Sequence, residues 1–335
     1  MKVGIIGVNG YTGQTLLKIL HSHPVFEITE LTARVESEIH IREISQEFYH
    51  YDYYVYPVFK PEDIKLNADA YFLALPHKTA MEYAKFLYDN GKIIIDLSAD
   101  FRFSNLKLYE KYYVKHLYPE LSRKSVYGLP ELFRSEIAKA RLIGNPGCYP
   151  TGIILGVYPL LKNTHVIKII ADSKSGTSGA GYKPSISNVF CNVNENFKAY
   201  KIGTHRHQPE IKEVLEKVSN KKVDLIFVPH LVPMDRGILS TIYIELEKDL
   251  TIDEIYEMYN VEYSNEPFIR IYDSSHLVAT KNVAFTNFCD MGIYKVAPAN
   301  VIIITAIDNL YKGASSQAVQ NLNIIAGIDE ITGLL

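Results

Sequence analysis

The 335-residue chain contains no tryptophan and only three cysteines. Three thiols, an odd and low number, exclude a disulfide framework. They fit a reducing compartment, where each is a small core residue or a reactive group. No CxxC and no Cys/His spacing of a metal centre occurs, so no metal is expected. No apolar run approaches the roughly 18 residues of a membrane helix. Met1-Lys2 leads straight into a short apolar run over residues 3–8 that stops at Asn9-Gly10, which is not a secretory signal. An excess of charge of one sign is also missing. Lys+Arg total 35 and Asp+Glu 38, a net charge of -3, with no electrostatic reason to expect nucleic acid or an anionic membrane as partner. A soluble, cytoplasmic protein is the expectation. Tyrosine, at 25, is abundant, and no function follows from that number.

At roughly 150 residues per domain, the length predicts about two domains. The first hundred residues alternate strand and helix signals. Strands are predicted over 3–7, 26–32, 70–75 and 93–97, and helices over 14–23 and 79–90, with Pro24 and Gly91 as stops. Alternation of this kind implies βαβ units and a parallel sheet with helices on both faces. Near residue 145 the pattern changes. A helix over 149–161, with Pro150 in its first turn, precedes strands over 166–172, 223–229, 238–247, 268–272 and 301–306. Fewer helices separate them, which predicts an α+β second domain. The stretch 308–325 reads as helical. No repeat, low-complexity tract or Pro/Gly/Ser linker is present.

Between the first strand and first helix lies Gly7-Val8-Asn9-Gly10-Tyr11-Thr12-Gly13. A tight turn needs positive φ, and a backbone that touches a pyrophosphate leaves little room for a Cβ. The helix N-terminus then offers N–H groups and the positive dipole end to phosphates. The spacing is Gly-x-x-Gly-x-x-Gly, so the pattern alone is also compatible with a plain turn. Its place at the start of a βαβ series favours dinucleotide binding. At the end of the second strand an NAD site usually carries an acidic residue for the ribose 2′-OH. This chain has Thr32-Ala33-Arg34, and an arginine there can pair with a 2′-phosphate, which favours NADP. Glu36 is close enough to serve a 2′-OH instead.

Cys148 stands in Gly144-Asn145-Pro146-Gly147-Cys148-Tyr149-Pro150-Thr151, after a turn and before a predicted helix. A helix N-terminus favours thiolate, the nucleophilic form, and the nearby glycines leave room for a carbonyl and its oxyanion donors. Its neighbourhood is equally that of a buried structural thiol. Cys191 and Cys289 have no such setting. A thiolate nucleophile usually needs an acid/base partner, and His205-Arg206-His207 is the densest cluster of suitable side chains, though such a run also suits a surface-exposed basic turn. In extended structure His205 and His207 would face one side and Arg206 the other. A second small-residue loop, Ser175-Gly176-Thr177-Ser178-Gly179-Ala180-Gly181, can wrap a phosphate through N–H groups and hydroxyls, or can simply connect. Arg102 and Arg236 stand in turn-like settings where surface ion pairs are also common. A dinucleotide site, a thiolate and an anion loop together permit reduction of an acyl phosphate through a thioester.

At these residues the chain resembles the N-acetyl-γ-glutamyl-phosphate reductase family. The matching segments are residues 7–13, Leu-Ala-Leu-Pro-His at 73–77, Asp-Leu-Ser-Ala-Asp-Phe-Arg at 96–102, Tyr-Gly-Leu-Pro-Glu-Leu at 127–132 and Asn-Pro-Gly-Cys-Tyr-Pro-Thr at 145–151. They continue with residues 175–181, His-Arg-His-Gln-Pro-Glu at 205–210, Pro-Met-Asp-Arg-Gly at 233–237 and Asp-Asn-Leu-Tyr-Lys-Gly-Ala at 308–314. The resemblance implies an α/β fold: a Rossmann-type NADP-binding domain over 1–147 plus 308–335, and an α+β catalytic and oligomerisation domain over 148–307. It implies Cys148 as nucleophile and His205 as acid/base, with His207 a substitute. Arg102, Arg206 and His207 become candidate contacts to the acyl phosphate substrate. The cofactor candidates are Gly7, Asn9, Gly10, Tyr11, Thr12, Gly13, Arg34, Ser178, Gly179, Asn309 and Gly313, the last two because the segment 309–321 would return beside the cofactor. A homo-oligomer, dimer or tetramer, is implied. The tyrosine-rich run at 48–56 matches no motif. The expected reaction is reduction of N-acetyl-γ-glutamyl phosphate to the semialdehyde with NADPH, in arginine biosynthesis. A carrier-linked glutamyl or aminoadipyl phosphate is the alternative substrate. An aspartate-semialdehyde-type dehydrogenase is disfavoured by the 145–151 and 205–210 runs, and an NADP-binding sensor would have no need of a reactive cysteine.

Overall fold

The structure is a computed structural model and describes residues 1–182, 186, 189–273 and 275–335. The chain forms two compact units, Met1–Pro146 with Ala314–Leu335, and Gly147–Gly313.

The first unit is built on an eight-stranded sheet of β1 Lys2–Ile6, β2 Glu27–Ala33, β3 Ile39–His40, β4 Tyr54–Pro57, β5 Ala70–Leu73, β6 Ile93–Asp96, β7 Val126–Tyr127 and β8 Leu142–Gly144. Its order is β3-β4-β2-β1-β5-β6-β8-β7, parallel throughout except for β3, which runs antiparallel to β4. The helices of this unit are α1 Tyr11–His21, α2 Thr79–Asp89, α3 Leu106–Tyr112, α4 Pro119–Ser122, α5 Pro130–Ile137 and, from the C-terminal segment, α11 Ser315–Ile325. β1 is buried from Val3 onward, as expected of a strand flanked by β2 and β5. It is also where strand order reverses, so the turn after it opens at the switch point of the sheet, where such folds bind ligands.

The tyrosine-rich run ends in the second strand of this sheet, between β3 at the edge and β2. Tyr54 to Pro57 are β4, and Tyr51 stacks on His21 of α1 with ring centroids 3.8 Å apart. Tyr51 and Tyr53 pack on His21 at the end of α1, and Phe48 is fully buried.

The second unit holds a seven-stranded mixed sheet of β9 Val166–Ser175, β10 Lys198–Ala199, β11 Leu225–Leu231, β12 Ile238–Leu246, β13 Ile269–Tyr272, β14 Cys289–Ala297 and β15 Asn300–Ile307, in the order β10-β11-β9-β12-β15-β14-β13. Its helices are α6 Cys148–Asn163, α7 Phe190–Val193, α8 His207–Ser219, α9 Ile252–Tyr263 and α10 Thr280–Val283. One face of the sheet is covered, with α6 across β12 and β15, α8 on β11, and α9 on β13 and β14. Helix α6 carries Pro159 in its interior. A proline lacks the N–H that would serve the carbonyl four residues back. That carbonyl belongs to Leu155, and the buried Tyr263 hydroxyl donates to it at 2.7 Å. Tyr259 does the same for the Gly156 carbonyl at 2.5 Å. Part of the tyrosine content thus serves to satisfy polar backbone inside a core.

Two sequence expectations change. The stretch 308–325 is not one helix. Asp308 accepts the N–H groups of Leu310 and Tyr311 with its carboxylate and closes a turn, so α11 begins only at Ser315. Accordingly residues 308–313 stay in the second unit, and the chain returns to the first at Ala314 rather than at 308. The helices α3, α4, α5, α7, α8, α9 and α10 and the strands β3, β4, β7, β8, β10 and β14 are additions to the predicted elements.

Candidate active site

In the first unit, the glycine-rich turn divides its labour among three glycines. Gly7 has φ +93°, and a Cβ there would lie 2.4 Å from the Ala74 carbonyl oxygen. Its N–H and that of Val8 donate to the Thr32 carbonyl at 2.8 and 3.1 Å, which binds the turn to the end of β2. A Cβ on Gly13 would lie 2.3 Å from the Gly7 carbonyl oxygen, so this glycine lets α1 pack against the strand. Gly10 differs. The nearest atom to its added Cβ would be 3.9 Å away, and Gly10 caps α1 without any side-chain cap. An open Cα face at an uncapped helix N-terminus fits a pyrophosphate. The turn also holds Asn9, whose carbonyl accepts from Gln14 (3.0 Å), exposed Tyr11, and Thr12, whose carbonyl accepts the Ser315 hydroxyl of α11 at 2.9 Å. Helix α11 therefore does lie against this turn. At the end of β2, the Thr32 hydroxyl is fully buried without a hydrogen-bond partner, and exposed Arg34 follows. Turn, orphan hydroxyl and arginine form a donor set suited to a phosphorylated dinucleotide.

Arg102 is half-buried and anchored. Its Nε donates to the Asn145 carbonyl at 2.6 Å and an Nη to the Leu97 carbonyl at 2.8 Å. Nearby lie two fully buried carboxylates, Asp96 and Asp100. Burial first, and then their mutual repulsion, pushes the Asp96 carboxyl up, while the Ser98 bonds and the Arg102 charge oppose the rise. Asp100 accepts from the Tyr109 hydroxyl (2.6 Å) and the Lys78 N–H (2.7 Å). This acid pair fixes the loop that carries Arg102.

In the second unit, Cys148 is the first residue of α6 and is half-buried. The positive end of a 16-residue helix stabilises negative charge on its sulfur. The preceding Gly147 donates its N–H to Oε1 of Glu210 at 2.8 Å, and Glu210 is fully buried on α8. His205 and His207 converge, but through a turn rather than a strand. Nδ1 of His205 accepts the His207 N–H at 3.1 Å, and the His205 carbonyl accepts from Gln208, as the chain enters α8 with Arg206 at its N-cap. The cause is local: Pro209 and Glu210 suit a first helical turn, so the expected alternation does not apply. The two imidazoles lie 4.8 Å apart. Burial lowers the His205 pKa to about 4, with Lys201 and Arg206 adding to the fall. Its ring is neutral at neutral pH, and because Nδ1 is an acceptor, the proton resides on Nε2.

The loop 175–181 does not act as a backbone cradle for phosphate. Its N–H groups at Gly176, Thr177, Ser178, Gly179 and Gly181 donate to the carbonyls of Gly237, Met234, Asp235, Gly176 and Ser178. Ser178 is buried, donating to the Asp235 carbonyl and accepting from Asn309, whose Oδ1 takes the Gly237 N–H at 2.7 Å. The Asn309 amide is thus committed to fastening this loop. Gly313 is needed for closeness: a Cβ there would lie 3.0 Å from that of Cys148. Gly179 is exposed. Arg236 pairs with buried Asp308 at 3.3 Å and stacks on Phe285 at 4.1 Å. Cys289 is buried and Cys191 exposed on the short α7.

Sequence reasoning assigned no role to Glu210, Tyr149, Tyr200 or Thr32. Glu210 closes the quoted His-Arg-His-Gln-Pro-Glu run and Tyr149 adjoins Cys148, so both had a signal. Tyr200 and the Thr32 hydroxyl had none, because only tertiary contacts single them out. Among the described residues, no three His, Cys, Asp or Glu side chains are grouped to hold a metal ion, and no helix is long and apolar enough to cross a membrane.

A nucleotide cradle on a parallel sheet and a helix-borne cysteine with a neutral histidine define an oxidoreductase of the semialdehyde dehydrogenase type. Residues 2–140 match the family model for the semialdehyde dehydrogenase NAD binding domain, and 148–309 that for the dimerisation domain, which assigns the second unit to contacts in a homo-oligomer. Solved structures share the fold. Aspartate semialdehyde dehydrogenase with NADP from Candida albicans aligns over 97% of this chain and 98% of its own, with TM-score 0.73 at 14% identity. Aspartate semialdehyde dehydrogenase II from Vibrio cholerae, complexed with ASA, gives 0.71 at 15% over 97% and 98%. Sequence relatives are nearer. N-acetyl-gamma-glutamyl-phosphate reductases of Caldicellulosiruptor bescii and Desulfotalea psychrophila are 48% and 45% identical, over 100% of this chain and 98% of theirs. The chain belongs to the N-acetyl-gamma-glutamyl-phosphate reductase family.

Proposed function

We propose that the protein reduces N-acetyl-γ-glutamyl phosphate to N-acetylglutamate 5-semialdehyde and phosphate with NADPH, in arginine biosynthesis. Full-length identity of 48% to a reductase of that name supports the substrate. The observation that carries the chemistry is Cys148 at the N-terminus of α6, its preceding N–H held by Glu210.

The Cys148 thiolate attacks the acyl carbon, the C–S bond forms, the bond to the phosphate oxygen breaks, and phosphate leaves. A thioester on Cys148 remains. Bound NADPH supplies the hydride that takes this carbon to the aldehyde level. Residues 7–13 would hold its pyrophosphate, and Arg34 its 2′-phosphate, with Thr32 nearby. His205 works at Nε2, on the acid side of the acid/base role: its N–H donates to the oxygen that becomes negative when hydride reaches the thioester carbon, and as that tetrahedral adduct collapses the C–S bond breaks, the sulfur leaves as thiolate and the aldehyde departs. Arg206 and His207 are the substrate contacts beside it, and Arg102 supplies a fixed positive charge for the phosphate. Asn309, Gly313, Ser178 and Gly179 act by shaping the loop next to Cys148.

The assembly we propose is a homodimer, or a dimer of dimers, joined through the face of the second sheet that α6, α8 and α9 leave uncovered. Ile226, Ile170, Tyr243, Ile302 and Tyr294 stand in register across five strands of that face, an apolar row suited to a second copy. A reducing cytoplasmic setting suits three thiols, one of them a nucleophile.

The test runs the reaction backwards with purified protein, NADP, phosphate and N-acetylglutamate semialdehyde. Phosphate-dependent growth of NADPH absorbance is expected. No NADPH from the free semialdehyde, with cofactor binding intact, would overturn the assignment and point to a carrier-linked substrate.

A further inference from the structure

Two tyrosine hydroxyls meet in the second unit at a position the proposed chemistry does not use. Tyr149 follows Cys148 directly and lies in the first turn of α6. Tyr200 lies just past β10, five residues before His205. Their hydroxyl oxygens are 3.1 Å apart, and Tyr149 also reaches the His230 carbonyl at 3.3 Å. Around them the rings form a cage. Tyr200 meets His205 edge-to-face at 5.4 Å, Tyr149 meets His205 at 5.7 Å and His207 at 5.8 Å, and Phe227 of β11 closes on His205 at 5.4 Å.

The loop between β10 and α8 has little regular structure to hold it. Lys201 and Gly203 have φ of +47° and +69°, and the first is in a left-handed conformation that a side chain disfavours. Residues 201–204 are exposed. The Tyr200 N–H bond to the Pro229 carbonyl (3.0 Å) and its hydroxyl bond to Tyr149 are its anchors immediately upstream of the histidine. Burial pushes the Tyr200 hydroxyl up to about 12, its bond to Tyr149 opposing and the charge of Cys148 adding to the rise.

We infer that Tyr200 is a positioning residue: its hydroxyl bond to Tyr149 ties the histidine loop to the nucleophile helix and sets the orientation and environment of His205. The inference rests on the reading of Cys148 and His205 as the catalytic pair. The charged and titratable groups around His205 are Lys201 and Arg206 on its own loop, His207 at the start of α8, and Tyr149 on α6 with Cys148 beside it. Lys201 and Arg206 repel a proton, and the caging rings exclude water. All of this depends on the loop staying closed.

The experiment is NMR of histidine side chains in the full-length protein, with the His205 signal assigned from His205→Asn. Wild type is compared with Tyr200→Phe, Tyr149→Phe and the double variant. In Tyr200→Phe the ring wall remains and only the tether is lost. The His205 titration midpoint is expected to rise by about one pH unit as water enters. The kcat should fall about tenfold and KM less than threefold, with the double variant no worse than Tyr149→Phe, because the bond that Tyr200→Phe removes is already lost with the Tyr149 hydroxyl. A merely structural role would lower the melting temperature and leave the His205 titration unmoved. That result, or additive losses in the double variant, would overturn the inference. Retention of turnover by Cys148→Ala would instead overturn the reading of the catalytic pair, while the titration would still report on the tether.

Discussion

The buried Glu210 carboxylate accepts the N–H of Gly147 at 2.8 Å, and this joins the helix that begins at the histidines to the helix that begins at the cysteine. A hydrogen bond to a charged acceptor contributes about 1.5–3 kcal/mol. Glu210→Gln keeps an acceptor of the same shape and should lower kcat about tenfold. Glu210→Ala leaves the N–H buried and unpaired and should also lower the melting temperature. Steady-state kinetics with thermal denaturation separates the two. A wild-type kcat in Glu210→Ala would show that the bond does not position the nucleophile.

Cys148→Ala should abolish turnover while NADPH binding, followed by fluorescence titration, and the melting temperature stay near wild type. The helix start does not depend on the thiol, since Gly147 and the first turn of α6 supply its geometry.

The glycines of the cofactor turn should separate by readout. Gly13→Ala forces a Cβ within 2.3 Å of a backbone oxygen and should cost stability. Gly10→Val meets open space, so the fold should persist and NADPH affinity should fall at least tenfold. Arg34→Ala should raise the NADPH dissociation constant and leave that for NADH nearly unchanged. Isothermal titration with both nucleotides checks each point, and equal loss for the two nucleotides in Arg34→Ala would remove the 2′-phosphate role.

His205 should make the protein less stable in acid. Its folded pKa, about 4, lies below the ordinary 6.5, so its contribution is complete above 6.5 and is lost as pH falls toward 4. The full effect is at most about 3 kcal/mol. His23 and His116, also lowered chiefly by burial, act in the same direction. Urea unfolding at pH 7.5 and 5 should show a smaller pH difference for His205→Asn than for wild type.

Tyr263→Phe should destabilise the second unit by about 1–3 kcal/mol, because the Leu155 carbonyl then has neither the tyrosine nor a Pro159 N–H. Pro159→Ala restores an N–H four residues on, so the cost of Tyr263→Phe should be much smaller when the two substitutions are combined. Chemical denaturation of the four-member cycle measures this, and an undiminished cost in the double variant would show that the tyrosine does not stand in for the missing N–H.

The alternation of strands and helices, the glycine turn after the first strand, and the cysteine before a helix were legible in sequence because each rests on local rules: apolar period, turn chemistry and helix-end electrostatics. Local rules also placed α6 almost to the residue, and they mark Cys148 whatever surrounds it. They did not place α8, whose start sets His205 and His207 on a turn and not on the alternating faces that extended structure would give. They failed at residues 308–313 as well, where the Asp308 side chain ends regular structure. The commitment of N–H groups at 176–178 to residues 234–237, the Glu210 bond to Gly147 and the meeting of Tyr149 with Tyr200 join positions 51 to 63 residues apart. No local period encodes such pairings, because they exist only once the mixed sheet has brought β9, β10, β11 and β12 side by side.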